Sequence, residues 1–301
     1  MSRFAGILFL MGAFMLAGTS VIAGRMAAAT LGTFSIAAAS LFFALIGLLP
    51  ICGVRLGETV SAMKSRDWLS LFLQALFGIF LFRLFLLQGL VRTSAGEAGI
   101  ITGATPAATA LLAWLVLKEP LSKTRFLGIA GTIMGILVIQ GIFSPDVGFS
   151  REHFLGNLLV LSAALCESQF NIISRIMGIR SSSNQSPVSD PIVQTTLVAG
   201  IAFLLCLGPA LAEQPAQSLI RLDMIGWGAL VWYGLFVTAL AFIFWYSGIK
   251  RCDATVAAAF SGMMPLTALI LSVLLLHEQP GWEQWVGGLL VTAGMALVGR
   301  E

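Results

Sequence analysis

Residues 76–135 read LFGIFLFRLFLLQGLVRTSAGEAGIITGATPAATALLAWLVLKEPLSKTRFLGIAGTIMG, and residues 235–294 read LFVTALAFIFWYSGIKRCDATVAAAFSGMMPLTALILSVLLLHEQPGWEQWVGGLLVTAG. The two runs lie 159 positions apart and align without a gap. Their identities include Phe85/Phe244, Gly89/Gly248, Arg92/Arg251, Gly103/Gly262, Pro106/Pro265, Glu119/Glu278, Gly128/Gly287 and Gly135/Gly294. About 16 of about 60 positions match, and the matched prolines and glycines weigh most, since apolar runs coincide by composition alone. A shift of 150 extends the match toward the N-terminus through Phe4/Phe154, Gly6/Gly156, Ile22/Ile172 and Arg25/Arg175. The chain is a duplication.

Hydropathy tells what is duplicated. Of 301 residues, 58% are apolar and 10% charged, and the mean hydropathy is +0.95. A soluble fold has about 25% charged residues, and disorder needs still less hydrophobicity. Neither fits this chain. A membrane-spanning helix needs about 20 mostly apolar residues. Windows of that kind fall near 4–24, 31–50, 68–90, 94–117 and 124–143, then 155–177, 190–212, 224–248, 253–276 and 282–299. The expected fold is therefore all-α and polytopic, with ten transmembrane helices as two copies of a five-helix unit, 1–143 and 151–301. The first window comes after Met1-Ser2-Arg3 like a signal peptide, but its length and its place in the repeat suit a retained helix.

Five is odd, so the second copy must enter the membrane from the opposite face. With the N-terminus inside, Lys and Arg divide roughly twelve to four in favour of the inner side, which puts both termini in the cytoplasm. Inverted repeats of this kind mark secondary transporters, whose substrate sites lie near the midplane between the halves.

Ten helices as five plus five, Glu119 and Glu278 closing the fourth and ninth, and glycine-rich fifth and tenth helices resemble the drug/metabolite transporter superfamily, EamA type. Within it the chain is similar to the YddG-type exporters of aromatic and other neutral amino acids. The chain departs from the family pattern in having Lys118 and His277 before those glutamates, and no Trp-Gly opening in its first helix. The resemblance implies export of small metabolites, neutral or aromatic amino acids foremost, through a central cavity in a bacterial-type inner membrane. Two other readings are a proton-coupled exporter of cationic drugs using Glu167, and a non-transporting scaffold or lipid-acting enzyme.

Charges within a membrane cost about 2.5–3.5 kcal/mol each on insertion scales and face a partner or a cavity. Arg83 lies in the outer half of helix 3 and Glu97 in the outer part of helix 4. They either pair and pin two helices, or Arg83 faces a substrate carboxylate. Glu167, at the centre of helix 6, is either a neutral hydrogen-bonded carboxyl or the partner of an ammonium or a proton. Pro106 and Pro265 stand at the midpoints of helices 4 and 9, where proline frees a carbonyl and kinks the helix, so both are candidates for gating or lining the cavity. Thr102, Ser261 and Asn171 could add hydrogen bonds to a lumen, and Trp232 and Tyr233 could stack on an apolar substrate. Gly131 and Gly135, four apart, read as a close helix-packing seam.

Other chemistry is not encoded. Cys52, Cys166, Cys206 and Cys252 are too scattered for a metal site or a disulfide framework. No Walker loop or Ser-His-Asp cluster can be drawn, so neither an enzyme nor a cofactor is expected, and a net charge of +3 leaves no nucleic-acid footprint. A carrier of phosphorylated sugars would place several cations in its cavity, and only Arg83 is available. The expected partners are a small-molecule substrate and the lipid bilayer; a monomer is compatible with the sequence.

Overall fold

A computed structural model describes residues 3–117, 122–139, 150–183, 186–249, 251, 260 and 263–298. Among them every regular element is helical. In chain order these are α1 (Arg3–Gly18), α2 (Ser20–Ala27), α3 (Thr33–Cys52), α4 (Val54–Ala62), α5 (Ser65–Ala75) and α6 (Phe82–Leu90). Next come α7 (Ala95–Thr102), α8 (Thr105–Leu117), α9 (Lys123–Ile139), α10 (Arg151–Ser182) and α11 (Pro191–Ala212). The chain continues through α12 (Pro215–Ile220), α13 (Met224–Trp232), α14 (Ala241–Ile249), α15 (Met263–Leu276) and α16 (Trp282–Val298). Among the described residues, five helical stretches are long and apolar enough to cross a membrane: Phe4–Ala28, Thr33–Cys52, Ser65–Leu90, Pro191–Ala212 and Met224–Ile249. Large apolar side chains such as Leu127, Leu204 and Leu289 are 61–69% exposed, a surface that water would not tolerate and lipid does.

Local chemistry sets the helix starts. Asp190 accepts from the Ile192 N–H at 2.8 Å, with Pro191 in the first turn of α11. Ser94 and Asp223 cap α7 and α13 in the same way. The polar stretch after α3, which reads as a connection, instead forms α4, with no buried residue.

The halves meet through antiparallel helix pairs. On α9 and α16, Gly128 faces Gly294 and Gly135 faces Gly287, so a methyl on any of the four would sit 2.6–2.7 Å from a carbonyl of the facing helix. Backbones that close gain dispersion contact that a larger side chain would forbid. The seam expected at Gly131 and Gly135 is therefore centred on Gly128 and Gly135, with Gly131 at its margin, because these two glycines share the face toward α16. Similarly, α7 runs against α15, with Gly96 at Ser272, Gly99 at Ala268 and Gly103 at Pro265. Gly89 packs on Val160, and its repeat mate Gly248 packs on Leu10, the mate of Val160.

The same reciprocity holds at the helix ends. Glu213, after α11, accepts from the Phe34 and Ser35 N–H groups at the start of α3, at 3.1 and 2.8 Å. Arg55, after α3, pairs at 2.7 Å with Asp190, which caps α11. Arg92 and its mate Arg251 each donate to the carbonyl four residues back, Gln88 and Ser247.

Among the described residues, four of the expected membrane segments are not continuous α-helices. The first is interrupted at Thr19, and the fourth at Gly103-Ala104, between α7 and α8. The third contains a π-helical segment, Leu76–Leu81, between α5 and α6. The eighth carries another, Tyr233–Leu240, whose last six residues are the repeat mates of the first.

Candidate functional site

The break in the fourth segment lies against Glu167. Pro106 has no N–H for the carbonyl of Thr102, four residues back. Thr105 Oγ1 stands in, 2.8 Å from that carbonyl oxygen, and is also 2.8 Å from Glu167 Oε2. Ser168 Oγ, next along α10, lies 3.1 Å from the carbonyl of Thr105. A half-buried carboxylate and an interrupted helix thus share one hydroxyl. Asn171 is half-buried one turn further along α10. Thr102 is buried, and its hydroxyl donates to its own helix at Gly99.

Arg83 begins beyond the π-helical segment Leu76–Leu81 and is 4% exposed. Its guanidinium donates to Ser40 Oγ at 2.7 Å, to the Ala37 carbonyl at 3.2 Å, and to Thr238 Oγ1. It also lies over the Tyr233 ring, 4.4 Å from the centroid, a cation–π contact. Thr238 is held by its own bond to the Tyr233 carbonyl, five residues back, so the second π-helical segment supplies both partners. The Tyr233 hydroxyl is buried without a hydrogen-bond partner among the described residues. No carboxylate lies within ion-pair distance of Arg83 among the described residues.

Arg83 and Glu167 stand at one level of the bundle. On α6 and its preceding π segment Gly89 meets Val160 and Gly78 meets Phe170 of α10. Arg83 falls between the two glycines as Glu167 falls between their two partners. The helices are neighbours, yet the two charges form no ion pair.

The expected Arg83–Glu97 pair does not form. Glu97 is 3% exposed and lies at the far end of α7, where His153 Nε2 approaches its Oε2 at 2.7 Å and Gln284 Nε2 its Oε1 at 2.7 Å. Asn157 Nδ2 and Thr93 Oγ1 each lie 3.1 Å from Oε2. His153 titrates above its ordinary value of 6.5 because the hydrogen bond to Glu97 favours the imidazolium, against the opposing effect of burial. Beside this cluster Glu278 accepts from the Ala95 and Gly96 N–H groups at 2.8 and 2.9 Å, an anion at a helix N-terminus. A cleft of about 200 Å³ is lined by Ser94, Gly96, Glu97, Leu269, Glu278 and Gln284 among others.

Trp232 is 39% exposed, donates to Thr19 Oγ1 at 2.8 Å and stacks on Phe236 at 4.4 Å. Pro106 stands in the first turn of α8, after the Gly103-Ala104 interruption and not at the middle of an unbroken helix, and Pro265 lies in α15, whose described residues start at Met263. Proline in a first turn needs no N–H, so at Pro106 the interruption precedes it. Ser261, Glu119 and Lys118 lie outside the described residues. Thr105, Ser40, Thr238, His153 and Gln284 were not singled out from sequence; Thr105 alone carried a local signal, the proline next to it. No group of three or more His, Cys, Asp or Glu side chains gathers to hold a metal among the described residues.

Comparison with known proteins bears on this arrangement. The chain is 28% identical over 284 residues to an uncharacterised transporter, YetK, of Bacillus subtilis (strain 168), covering 94% of this chain and 83% of that one. It is 25% identical over 238 residues to a probable terminal-alkyne amino-acid exporter of Streptantibioticus cattleyicolor, covering 79% and 75%. A crystal structure superposes with a TM-score of 0.64 at 20% identity, over 98% of this chain and 96% of that one, a likeness of fold. These named relatives are transporters and not enzymes. The EamA-like transporter family matches residues 4–141 and again residues 154–300. The helices, their apolar exterior and that double match make this a multi-pass membrane transporter with a small-molecule cargo, and the chain belongs to the EamA-like transporter family.

Proposed function

We propose that the protein exports neutral and aromatic amino acids across a bacterial-type inner membrane, through a central cavity between two five-helix repeats of opposite orientation, 1–143 and 151–301. Ten spans place both termini in the cytoplasm. The reciprocal contacts of α9 with α16 support the inversion, since antiparallel helices that exchange equivalent residues are related by an axis perpendicular to both.

What carries the reading is a buried guanidinium with no carboxylate partner among the described residues, level with a half-buried carboxylate that has no cation among them. A zwitterion crossing a low-dielectric cavity needs both charges compensated, or desolvation blocks it. Glu167 takes the ammonium, Arg83 with the Tyr233 hydroxyl takes the carboxylate, and Trp232 and Tyr233 offer aromatic faces to the side chain. Asn171 adds polar lining, and Pro106 and Pro265 mark the hinges. The amino-acid exporter among the relatives supports the cargo class. Exchange of cationic drugs for protons at Glu167 fits less well, because Arg83 at the same level repels such cargo.

Purified protein in proteoliposomes, given a panel of labelled solutes, tests this. Counterflow of neutral and aromatic amino acids, without comparable movement of cationic dyes, is expected. Dye movement driven by a proton gradient with no amino-acid flux would overturn it.

A further inference from the structure

Thr105 faces two acceptors with one hydrogen. Its Oγ1 is 2.8 Å from the Thr102 carbonyl oxygen and 2.8 Å from Glu167 Oε2, and a threonine hydroxyl donates a single hydrogen bond. Both contacts are hydrogen bonds together only when Glu167 carries a proton. Glu167 then donates to Thr105 Oγ1, and Thr105 donates to Thr102. When Glu167 is ionised, two oxygens compete for one hydrogen, and the carboxylate is the stronger acceptor. The Thr102 carbonyl then loses its donor. It cannot recruit the usual backbone donor, because that residue is Pro106.

We propose that Thr105 is a positioning residue that passes the protonation state of Glu167 to the break between α7 and α8. The proton of Glu167 leaves to water in the cavity. Thr105 keeps its own hydrogen and turns it from Thr102 to Glu167 Oε2. The Thr102 carbonyl is left open beside the interruption at Gly103-Ala104, where the chain is already free of continuous helix hydrogen bonding. Ser168 Oγ lies 2.8 Å from the Ala164 carbonyl of its own helix and 3.1 Å from the Thr105 carbonyl, so α10 stays packed on the backbone of Thr105 while the hydroxyl turns.

This rests on the reading of Glu167 as the ammonium partner and deepens it. An ammonium group carries three hydrogens, enough to serve the carboxylate and the opened carbonyl together. Substrate and proton are then alternative ways of satisfying the same two oxygens. The other charged groups on the elements packed against α10 are engaged elsewhere or exposed. Arg66 on α5 is exposed, Asp67 pairs with Arg180 at 3.0 Å, Arg83 bonds Ser40 and Thr238, and Glu97 bonds His153. On α10 itself Arg175 is exposed.

Infrared difference spectra of the full chain in lipid, titrated with acid and labelled with carbon-13 at threonine carbonyls, test the relay without transport. The wild type should show a carboxylic-acid band that vanishes in Glu167→Gln. A labelled amide band, absent in Thr102→Ser, should titrate with it. Thr105→Val should keep the acid band and lose the coupled amide change, and Thr105→Ser should restore it. Glu167→Gln, whose amide always donates, should hold the threonine carbonyl in its low-pH form at every pH. The relay is overturned if the amide change survives in Thr105→Val, or if Glu167→Gln leaves that change pH-dependent. It is equally overturned if no acid band titrates over the range in which the wild type stays folded. Coupled spectra in a protein that moves no amino acid would leave the relay standing and sink the cargo assignment instead.

Discussion

His153 Nε2 lies 2.7 Å from Glu97 Oε2, joining the first turn of α10 to the first turn of α7 at one end of the bundle. The imidazolium is favoured in the folded protein by that carboxylate, so His153 holds its proton above the ordinary value of 6.5. A group that binds its proton more tightly when folded adds stability that is complete below its unfolded value and disappears as pH rises through the folded one. Thermal unfolding in detergent should therefore show wild type above His153→Ala by a margin that is greatest below pH 6.5 and shrinks above it. A margin independent of pH would show that His153 acts by packing alone.

The glycine seam gives a prediction of stability. In Gly128→Ala the new methyl would meet the Gly294 carbonyl at 2.6 Å and the Val298 N at 2.9 Å, both backbone atoms that cannot swing aside. Overpacking of this kind costs about 1–3 kcal/mol. Gly200→Ala is the matched control, since nothing lies within 4 Å of its position, and it should unfold at or slightly above the wild-type temperature. Equal melting of the two variants would remove the seam from the account of the fold.

Conduction requires weak binding, and the two-charge site should hold neutral amino acids in the millimolar to high micromolar range, about −4 to −6 kcal/mol. Glu167→Gln should slow their flux several-fold while leaving the melting temperature within a few degrees, because Gln keeps the volume and still hydrogen-bonds Thr105. Wild-type flux in purified Glu167→Gln protein would make Glu167 a structural residue.

Orientation is open to chemical labelling. Single cysteines at Gly57 and Ser150, both exposed, can be compared in intact cells in a cysteine-free background. An impermeant maleimide should label the Ser150 position and leave the Gly57 position untouched. The reverse pattern would invert the topology.

Much of the fold was legible because duplication leaves a record in special residues. Gly128, Gly135, Gly287 and Gly294 match across the repeat, and they are the residues that bring two backbones together. Pro106 marked the interruption of the fourth segment, though as the start of a new helix. The π-helical segments were not legible, since one extra residue in an apolar run leaves no mark in composition. Each inserted residue turns the remainder of its helix by about 100°, which changes the face that the helix presents. That is why the expected Arg83–Glu97 pair does not form. Past the π segment Arg83 points to Ser40 and Thr238, while Glu97 finds partners on α10 and α16. Burial and polarity flagged both charges as engaged, but partners so distant in the chain are set by tertiary packing alone.

The α9–α16 seam also bears on how such a chain could arise. Gly128 meets the mate of Gly135, and Gly135 meets the mate of Gly128. A surface that closes on its own equivalent needs no second surface to evolve alongside it. One five-helix unit bearing this stripe already carries both sides of a symmetric dimer contact, and fusing two copies only tethers surfaces that were complementary beforehand. After fusion each side is free to change alone, which is how Arg83 and Glu167 come to have repeat mates, Phe242 and Ala17, that carry no charge.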